Sequence, residues 1–565
     1  MMSLALAILP LALLIVLMTV TRPGRWLPLP AHIALPAMAV LAYVLHLFWF
    51  RAGVTPGDAQ PSLGQPAGHW IHAAVIDGAL SAFTPIGIVF GAVLLFKTME
   101  ASGAMRVLTD RIRSLSPHPI AQLMLVGWCF SFLIEGLCGF GAPAALAAPI
   151  LVGLGFPPVR VAAMCLIMNS VPVSFGAVGT PIWFGLGELG LSPDELLTVG
   201  TKAALINAIA ALVIPIIALR VVLPWQTIRA SLGFILLVTL ATVLPYVFVA
   251  MHSSEFPSII GGLSGTGFGA LLAYRQFGLS SATTEPASRP GCDPEDAEHR
   301  FGTVRAASPL IAVVLLLALT RIEPFGLRTL LTADSPAVEV GLSHAGTVWI
   351  TPGLVVGIRD ILGTDIAWRM PLLFVPFLIP FVLVSLLAIP ALRIRREAAV
   401  SAWTDTLKRL TRPAVALIGA LVLVKLMMLG GEASPVMLIG RAMAWASGGS
   451  WLYLAPLLGA LGSFFSGSNT VSNLTFAPVQ GAIAGSLDMD ITSVLALQTV
   501  GGSLGNMVCI HNIVAVAAVI GLRDRTSADG EKPDEFHGGV GSILRLTIVP
   551  MFIYAAIAAG GAMLL

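Results

Sequence analysis

The chain has 565 residues, of which 57% are hydrophobic and 11% charged, with a formal net charge of +2. Soluble domains carry roughly 25% charged residues, so this little charge cannot cover this much apolar surface in water, and the composition points to a polytopic membrane protein. There is no basic tract for nucleic acid, and the five cysteines, at 129, 138, 165, 292 and 509, form neither a disulfide framework nor a CxxC pair, so neither a metal nor a cofactor is expected.

A spanning helix needs about 20 mostly apolar residues. In chain order such runs lie near 3–20, 31–50, 71–96, 119–135, 158–178, 201–223, 228–250, 257–274, 307–320, 371–392, 413–430, 451–466, 490–520 and 542–563. The first, "MMSLALAILPLALLIVLMTV", has no charged leading region and no clear cleavage site, and reads as a retained span rather than a signal peptide. The runs 71–96 and 490–520 exceed one span, and 337–356 and 434–447 could add short ones. The expectation is an all-α bundle of about 12 to 14 spans, one integral-membrane domain over 1–565.

Lys and Arg in short loops set orientation. Arg22 and Arg25, then Lys97, Arg106, Arg111 and Arg113, then the basic loop 393–412, read as cytoplasmic; the Gly/Pro-rich loop 51–69 reads as external, with the N-terminus facing outward. Residues 276–305 and 523–538 are rich in Pro, Gly, Ser and charge, and read as polar surface loops.

Within this apolar background, "FLIEGLCGFGAP" (132–143) puts a carboxylate, Glu135, beside Gly136, Gly139, Phe140, Gly141 and Pro143. A charge in a spanning region normally faces a cavity or a partner. Glycines and proline that end a helix leave backbone groups unpaired, which is tolerated at membrane depth only where they line a cavity or are buried in protein. A carboxyl that changes charge as water gains access is a reasonable proton carrier, and freed N–H groups attract a carboxylate. The competing reading puts Glu135 at a helix end in the headgroup zone, with the glycines serving packing.

A second polar island, "SGSNTVSN" (466–473), supplies Ser466, Gly467, Ser468, Asn469, Thr470, Ser472 and Asn473 between apolar flanks. Hydroxyls and amides hydrogen-bond a small hydroxy acid without burying a fixed charge; they also join helices to one another. Milder breaks hold Asn169 and Ser174, and then Gln498 and Asn506. His511 reads first as a structural donor. Lys425, in "LVLVKLMML", is either a countercharge or a lysine reaching for the interface.

The regions 119–182 and 451–520 read as two repeat-related broken-helix regions. Glu135–Gly136 pairs with Ser466–Gly467 and Asn169–Ser170 with Gln498–Thr499, which brings Ser174-Phe-Gly176 onto Ser503-Leu-Gly505. Interrupted segments in matching places of two halves point to a transporter's site.

"IEGLCGFGAP", "LVGLGFPPVRVAAMCLIMNSVPVSFGAVGTPI", "GSFFSGSNTVSNLTFAPVQ" and "LLFKTMEASGAM" resemble the L-lactate permease family of bacterial inner-membrane proteins over most of the chain. The resemblance implies a secondary transporter moving lactate, and often glycolate, with protons. The chain departs from the family pattern at Leu137-Cys138, at Asn469 where an acid is common, and at Asn506 where a lysine is common. The expected assignment is Glu135 for proton coupling, backbone N–H groups near Gly136–Gly141 for the carboxylate, and the 466–473 side chains for the hydroxyl. Sodium coupling, another small organic anion, an intramembrane hydrolase using Ser466 or Ser468 with His511, and a channel are the alternatives; there is no GxSG at either serine and no TVGYG.

Overall fold

The computed structural model describes residues 2–19, 29–50, 67–113, 116–139, 142–280, 302–321, 326–375, 378–520 and 540–562. The loop 523–538, most of 276–305, most of 51–69, Arg22, Arg25, Phe140, Gly141 and Cys292 lie outside the described residues. Every apolar run read from the sequence contains a helix. By length and apolarity, six helices, or eight if each of two bent pairs is one span, qualify as membrane-crossing among the described residues, fewer than the expected 12 to 14. The difference has a physical source: Gly, Pro and polar breaks cut several runs short, as in Trp451–Ser466 and Ile491–Asn506, each 16 residues.

The chain forms two compact units. The first comprises Met1–Arg106, Phe301–Ser447 and Gly485–Leu487. Its axis is the 33-residue helix Arg396–Met428, about 50 Å long at 1.5 Å per residue and longer than the roughly 30 Å hydrocarbon core. The basic stretch read as a loop is therefore helical from Arg396 onward, because 396–412 holds good helix formers and no Gly or Pro. Its apolar half packs on Ala31–Phe48, Ala67–Ser81 and Phe83–Ser102. The approach reaches backbone: a Cβ on Gly78 would lie 2.7 Å from Val422 Cα. Residues 337–356, weighed above as a short span, instead enter an antiparallel meander of β1 (Val338–Gly341), β2 (Thr347–Ile350), β3 (Val355–Arg359) and β4 (Trp368–Pro371). Glu339, His344 and a Thr-Pro-Gly turn break the apolar run, and the Trp349 ring covers Gly357 on the neighbouring strand.

The second unit comprises Val107–Arg300, Gly448–Ala484 and Asp488–Leu565. Its centre is Pro119–Cys138, almost wholly buried, with a π-helical stretch at Leu123–Phe130 leading into the Ser131–Cys138 helix. Gly136 and Gly262 let that helix meet Pro257–Tyr274 closely: a Cβ on Gly136 would lie 2.7 Å from Ile259 N, and one on Gly262 2.4 Å from Leu133 N. Phe132 and Phe175 flank the Tyr246 ring edge-on at 5.4 and 5.3 Å. Trp451–Ser466 packs against Ile491–Asn506 through Gly459, Gly501 and Gly505, where a Cβ would fall 2.1–2.3 Å from a backbone oxygen of the facing helix.

Candidate functional site

Three chain breaks of the second unit meet at one cavity. The first follows Cys138, where Gly139 adopts φ 63° and ψ −158° and the next helix begins at Ala142. The second follows the Pro158–Asn169 helix. A 3₁₀ turn at Pro172–Phe175 leads to Gly176, and Ala177, Val178 and Gly179 then all take left-handed dihedrals. The Trp183 indole N–H donates to the Val178 carbonyl at 2.8 Å and braces this turn. Gly179 lies against the 254–255 backbone, where a Cβ would fall 1.8 Å from Ser254 O. The third break is at Gly467, left-handed at φ 70°, between Trp451–Ser466 and the buried Asn469–Ser486 helix.

Glu135, Gly139, Val173, Gly176, Ala177, Thr180, Pro181, Gly467, Ser468, Asn469, Thr470 and Asn506 line the cavity. Its volume is about 10 Å³, room for about one water. A three-carbon hydroxy acid enters only if the walls move.

The Glu135 side chain is buried and accepts from Asn169 Nδ2 at 2.9 Å. A Cβ on Gly176 would sit 2.4 Å from Glu135 Oε1, so glycine there is what admits the carboxyl. Across the cavity, Thr180 and Thr470 share a 3.2 Å hydroxyl hydrogen bond. At the start of the Asn469–Ser486 helix, Val471 N–H donates to Ser468 Oγ and Ser472 N–H to Ser468 O, and the first N–H groups fall outside that helix's own hydrogen-bond ladder, as at any helix start. Asn469 Nδ2 donates to Thr499 O at 2.9 Å and Ser503 Oγ at 3.1 Å.

The remaining candidates surround this cavity or are used elsewhere. Asn473 Nδ2 donates to Pro181 O at 2.8 Å and Thr499 Oγ1 at 3.0 Å, which ties the second break to the third. Gln498 Nε2 donates to Ser472 Oγ at 3.1 Å, and Gln480 Nε2 donates to Gln498 Oε1 at 2.9 Å. Ser466 Oγ donates to Gly462 O and accepts from Ser468 N, a local cap at the helix end. Gly136 serves packing, as above. Asn506 lines the cavity and accepts from Asn512 Nδ2. Lys425 belongs to the first unit, where its Nζ is 2.7 Å from Asp77 Oδ2. The His511 side chain lies outside the described residues.

The structure brings Ser174 and Ser503, both named from the sequence, into contact and joins them to Asn207, Tyr246 and Tyr554, which the sequence reading did not single out. Ser174 Oγ and Ser503 Oγ are 2.7 Å apart, and Asn207 Nδ2 donates to Ser174 Oγ and to Tyr246 Oη, each at 2.9 Å. Tyr554 Oη donates to Asn207 Oδ1 at 2.7 Å. This buried chain runs from Asn469 through Ser503 and Ser174 to Asn207. Val173, Ala177, Thr180 and Pro181 were signalled only collectively, by the broken segment "NSVPVSFGAVGTPI". Among the described residues no group of His, Cys, Asp and Glu could hold a metal ion.

A family model described as L-lactate permease matches residues 3–565. A relative from Haemophilus influenzae is 42% identical over 565 residues, covering 100% of this chain and 99% of the relative. The protein named Glycolate permease GlcA in Escherichia coli K12 is 24% identical over 545 residues, 93% of this chain and 91% of that one. Among solved structures, the Alcanivorax borkumensis YdaH transporter aligns with a TM-score of 0.45 and 14% identity over 94% of this chain and 97% of that chain.

Proposed function

The chain belongs to the L-lactate permease family, and from that premise we propose that it carries lactate and related small 2-hydroxy acids such as glycolate across the bacterial inner membrane together with protons. The observation that supports this reading is that Glu135 and the start of the Asn469–Ser486 helix line one small cavity. An anion is favoured at a helix N-terminus, by unpaired N–H groups and by the helix dipole. A charged Glu135 opposes it. Two unit charges about 4 Å apart repel by about 4 kcal/mol at an effective dielectric of 20, roughly a thousandfold in affinity. Substrate anion and neutral Glu135 are thus mutually stabilising, and a proton travels with each anion. Thr470, Ser468 and Asn469 are positioned to hydrogen-bond the substrate hydroxyl and carboxylate, and Asn473, Gln498 and Ser472 tie the helix that carries Asn469 and Thr470 to the neighbouring segments. The two broken-helix regions, 119–182 and 451–520, act as repeat-related halves whose relative motion widens the cavity to one side of the membrane and then the other.

In proteoliposomes, Glu135→Gln is expected to abolish uptake driven by a pH gradient while lactate exchange, which moves no net proton, persists. Gradient-driven accumulation by this variant at the wild-type level would remove Glu135 from the coupling.

A second reading, sodium in place of the proton, draws on two buried amide oxygens, Asn169 Oδ1 and Asn469 Oδ1, that have no hydrogen-bond partner; neutral oxygens suit a hard cation. Uptake measured with an imposed sodium gradient and no pH gradient separates the two ions.

A further inference from the structure

Among the buried amides at the breaks, Asn169 differs from Asn469 and Gln498 in what fixes it. Asn469 Nδ2 faces the Thr499 carbonyl, which can only accept, so that carboxamide has one orientation. Gln498 is fixed at both ends, with its nitrogen on Ser472 Oγ and its oxygen on Gln480 Nε2. The Asn169 amide nitrogen has a different kind of partner, Glu135 Oε2 at 2.9 Å, and its Oδ1 is buried with no partner.

A carboxylate can only accept, whereas a neutral carboxylic acid also carries a donor. When the proton that Glu135 takes up sits on Oε2, the oxygen facing Asn169, that atom changes from acceptor to donor. A carboxamide has a donor arm and an acceptor arm that exchange places on a half-turn about the terminal bond. With Glu135 charged, the NH₂ arm is the matched one. With the proton on Glu135 Oε2, the unpartnered Oδ1 becomes the matched arm.

We infer that Asn169 is a positioning residue that follows the proton on Glu135, donating to the carboxylate and turning over to accept from the acid. The inference rests on the proton-coupled reading above. The proton transferred is the one carried by Glu135, and no bond other than its O–H forms or breaks. Besides Glu135, the ionisable side chains on the elements packed against the Ser131–Cys138 helix are Cys138 on that helix, Cys129 on the π-helical stretch, Arg160 and Cys165 on Pro158–Asn169, and Tyr274 on Pro257–Tyr274. There is no second carboxylate among them to share the proton. Asn169 is also the last residue of its helix, so the turnover occurs where the chain leaves the helix for the turn that carries Ser174 and the cavity wall.

The test compares net uptake driven by a pH gradient with lactate exchange in proteoliposomes, for Asn169→Leu beside Glu135→Gln. Leucine keeps the approximate size and supplies neither arm. It is expected to lower net uptake at least tenfold more than exchange, because the charged, empty carrier must return unmatched in net uptake and never forms in exchange. An equal loss in both assays, or no loss in either, overturns the inference. Infrared difference spectra of the wild type, titrated across pH with lactate present, provide a measurement that needs no Asn169 variant. A side-chain amide band should shift together with the protonated-carboxyl band, and both should vanish in Glu135→Gln. A carboxyl band without the amide shift overturns the role of Asn169 alone. If Glu135→Gln keeps its net uptake, the proton reading itself fails.

Discussion

Ser174 and Ser503 lie 2.7 Å apart, hydroxyl to hydroxyl, and they are the same position in the two segments aligned as a repeat, 329 residues apart in sequence. In a duplicated bundle a residue meets its own counterpart only on the axis that relates the copies, so the contact fits the proposal that the two break regions correspond. Ser503 also accepts from Asn469, and Ser174 from Asn207, so the pair links the cavity lining to the helices behind it.

Removing one hydroxyl of this pair leaves the other buried group short of a partner, a loss of about 1–3 kcal/mol. Ser174→Ala and Ser503→Ala should each lower the thermal stability of the detergent-solubilised protein. The double variant should lose less than the sum of the singles, with a coupling of about 0.5–3 kcal/mol. Strict additivity would show that the contact does not form.

Asn207→Leu strips three hydrogen bonds at once, those to Ser174, Tyr246 and Tyr554. Each polar group left unsatisfied costs about 1–3 kcal/mol. The variant should melt earlier, and its KM for lactate should rise because the Ser174–Ser503 pair behind Asn469 loses its anchor. A lower melting temperature with an unaltered KM would confine Asn207 to packing.

Gly501→Ala pushes a methyl to 2.1 Å from the Pro456 carbonyl oxygen, and the backbone cannot yield cheaply. Overpacking of this kind costs about 1–3 kcal/mol. Gly485→Ala in the Asn469–Ser486 helix meets nothing within 4 Å and should be neutral or stabilising by about 0.4–1 kcal/mol. Thermal melts of the two variants side by side check the contrast.

Asp77 and Lys425 form an ion pair in which Asp77 is 7% and Lys425 21% exposed, and Ser81 also donates to Asp77. Breaking such a pair from one side costs about 3–5 kcal/mol, while replacing both partners with apolar residues is often neutral. Asp77→Asn and Lys425→Met should each impair folding, and Asp77→Leu with Lys425→Met should recover much of it. Lactate uptake by the recovered double variant would separate Lys425 from substrate binding; its selective loss would return Lys425 to the site.

The spans were legible because a segment crossing lipid must be apolar and must satisfy its own backbone, which leaves a long unbroken signal. The same rule hid Ala142–Gly153 and Asn469–Ser486. Each starts at a break, and the polar island at 466–473, read as an interruption, turns out to be mostly the first turns of a buried helix. Glu135 stood out because a carboxylate in an apolar run is costly. Asn207, Tyr246 and Tyr554 did not, since each is an uncharged polar residue far from the other two in sequence, and only the fold brings them together. The strands of 338–371 were missed because each is only four or five residues long and together they read as a short, interrupted apolar span.

The left-handed turn at Ala177 and Val178 has an energetic consequence. A left-handed residue with a side chain is disfavoured by about 1–2 kcal/mol, so these two preload the cavity wall by about 2–4 kcal/mol. The Trp183 indole on the Val178 carbonyl and the 254–255 backbone packed beside Gly179 hold the turn in this form. In the transport cycle proposed above, a turn that carries this cost is the part of the wall that yields first, so less of the work of opening falls on the arriving anion.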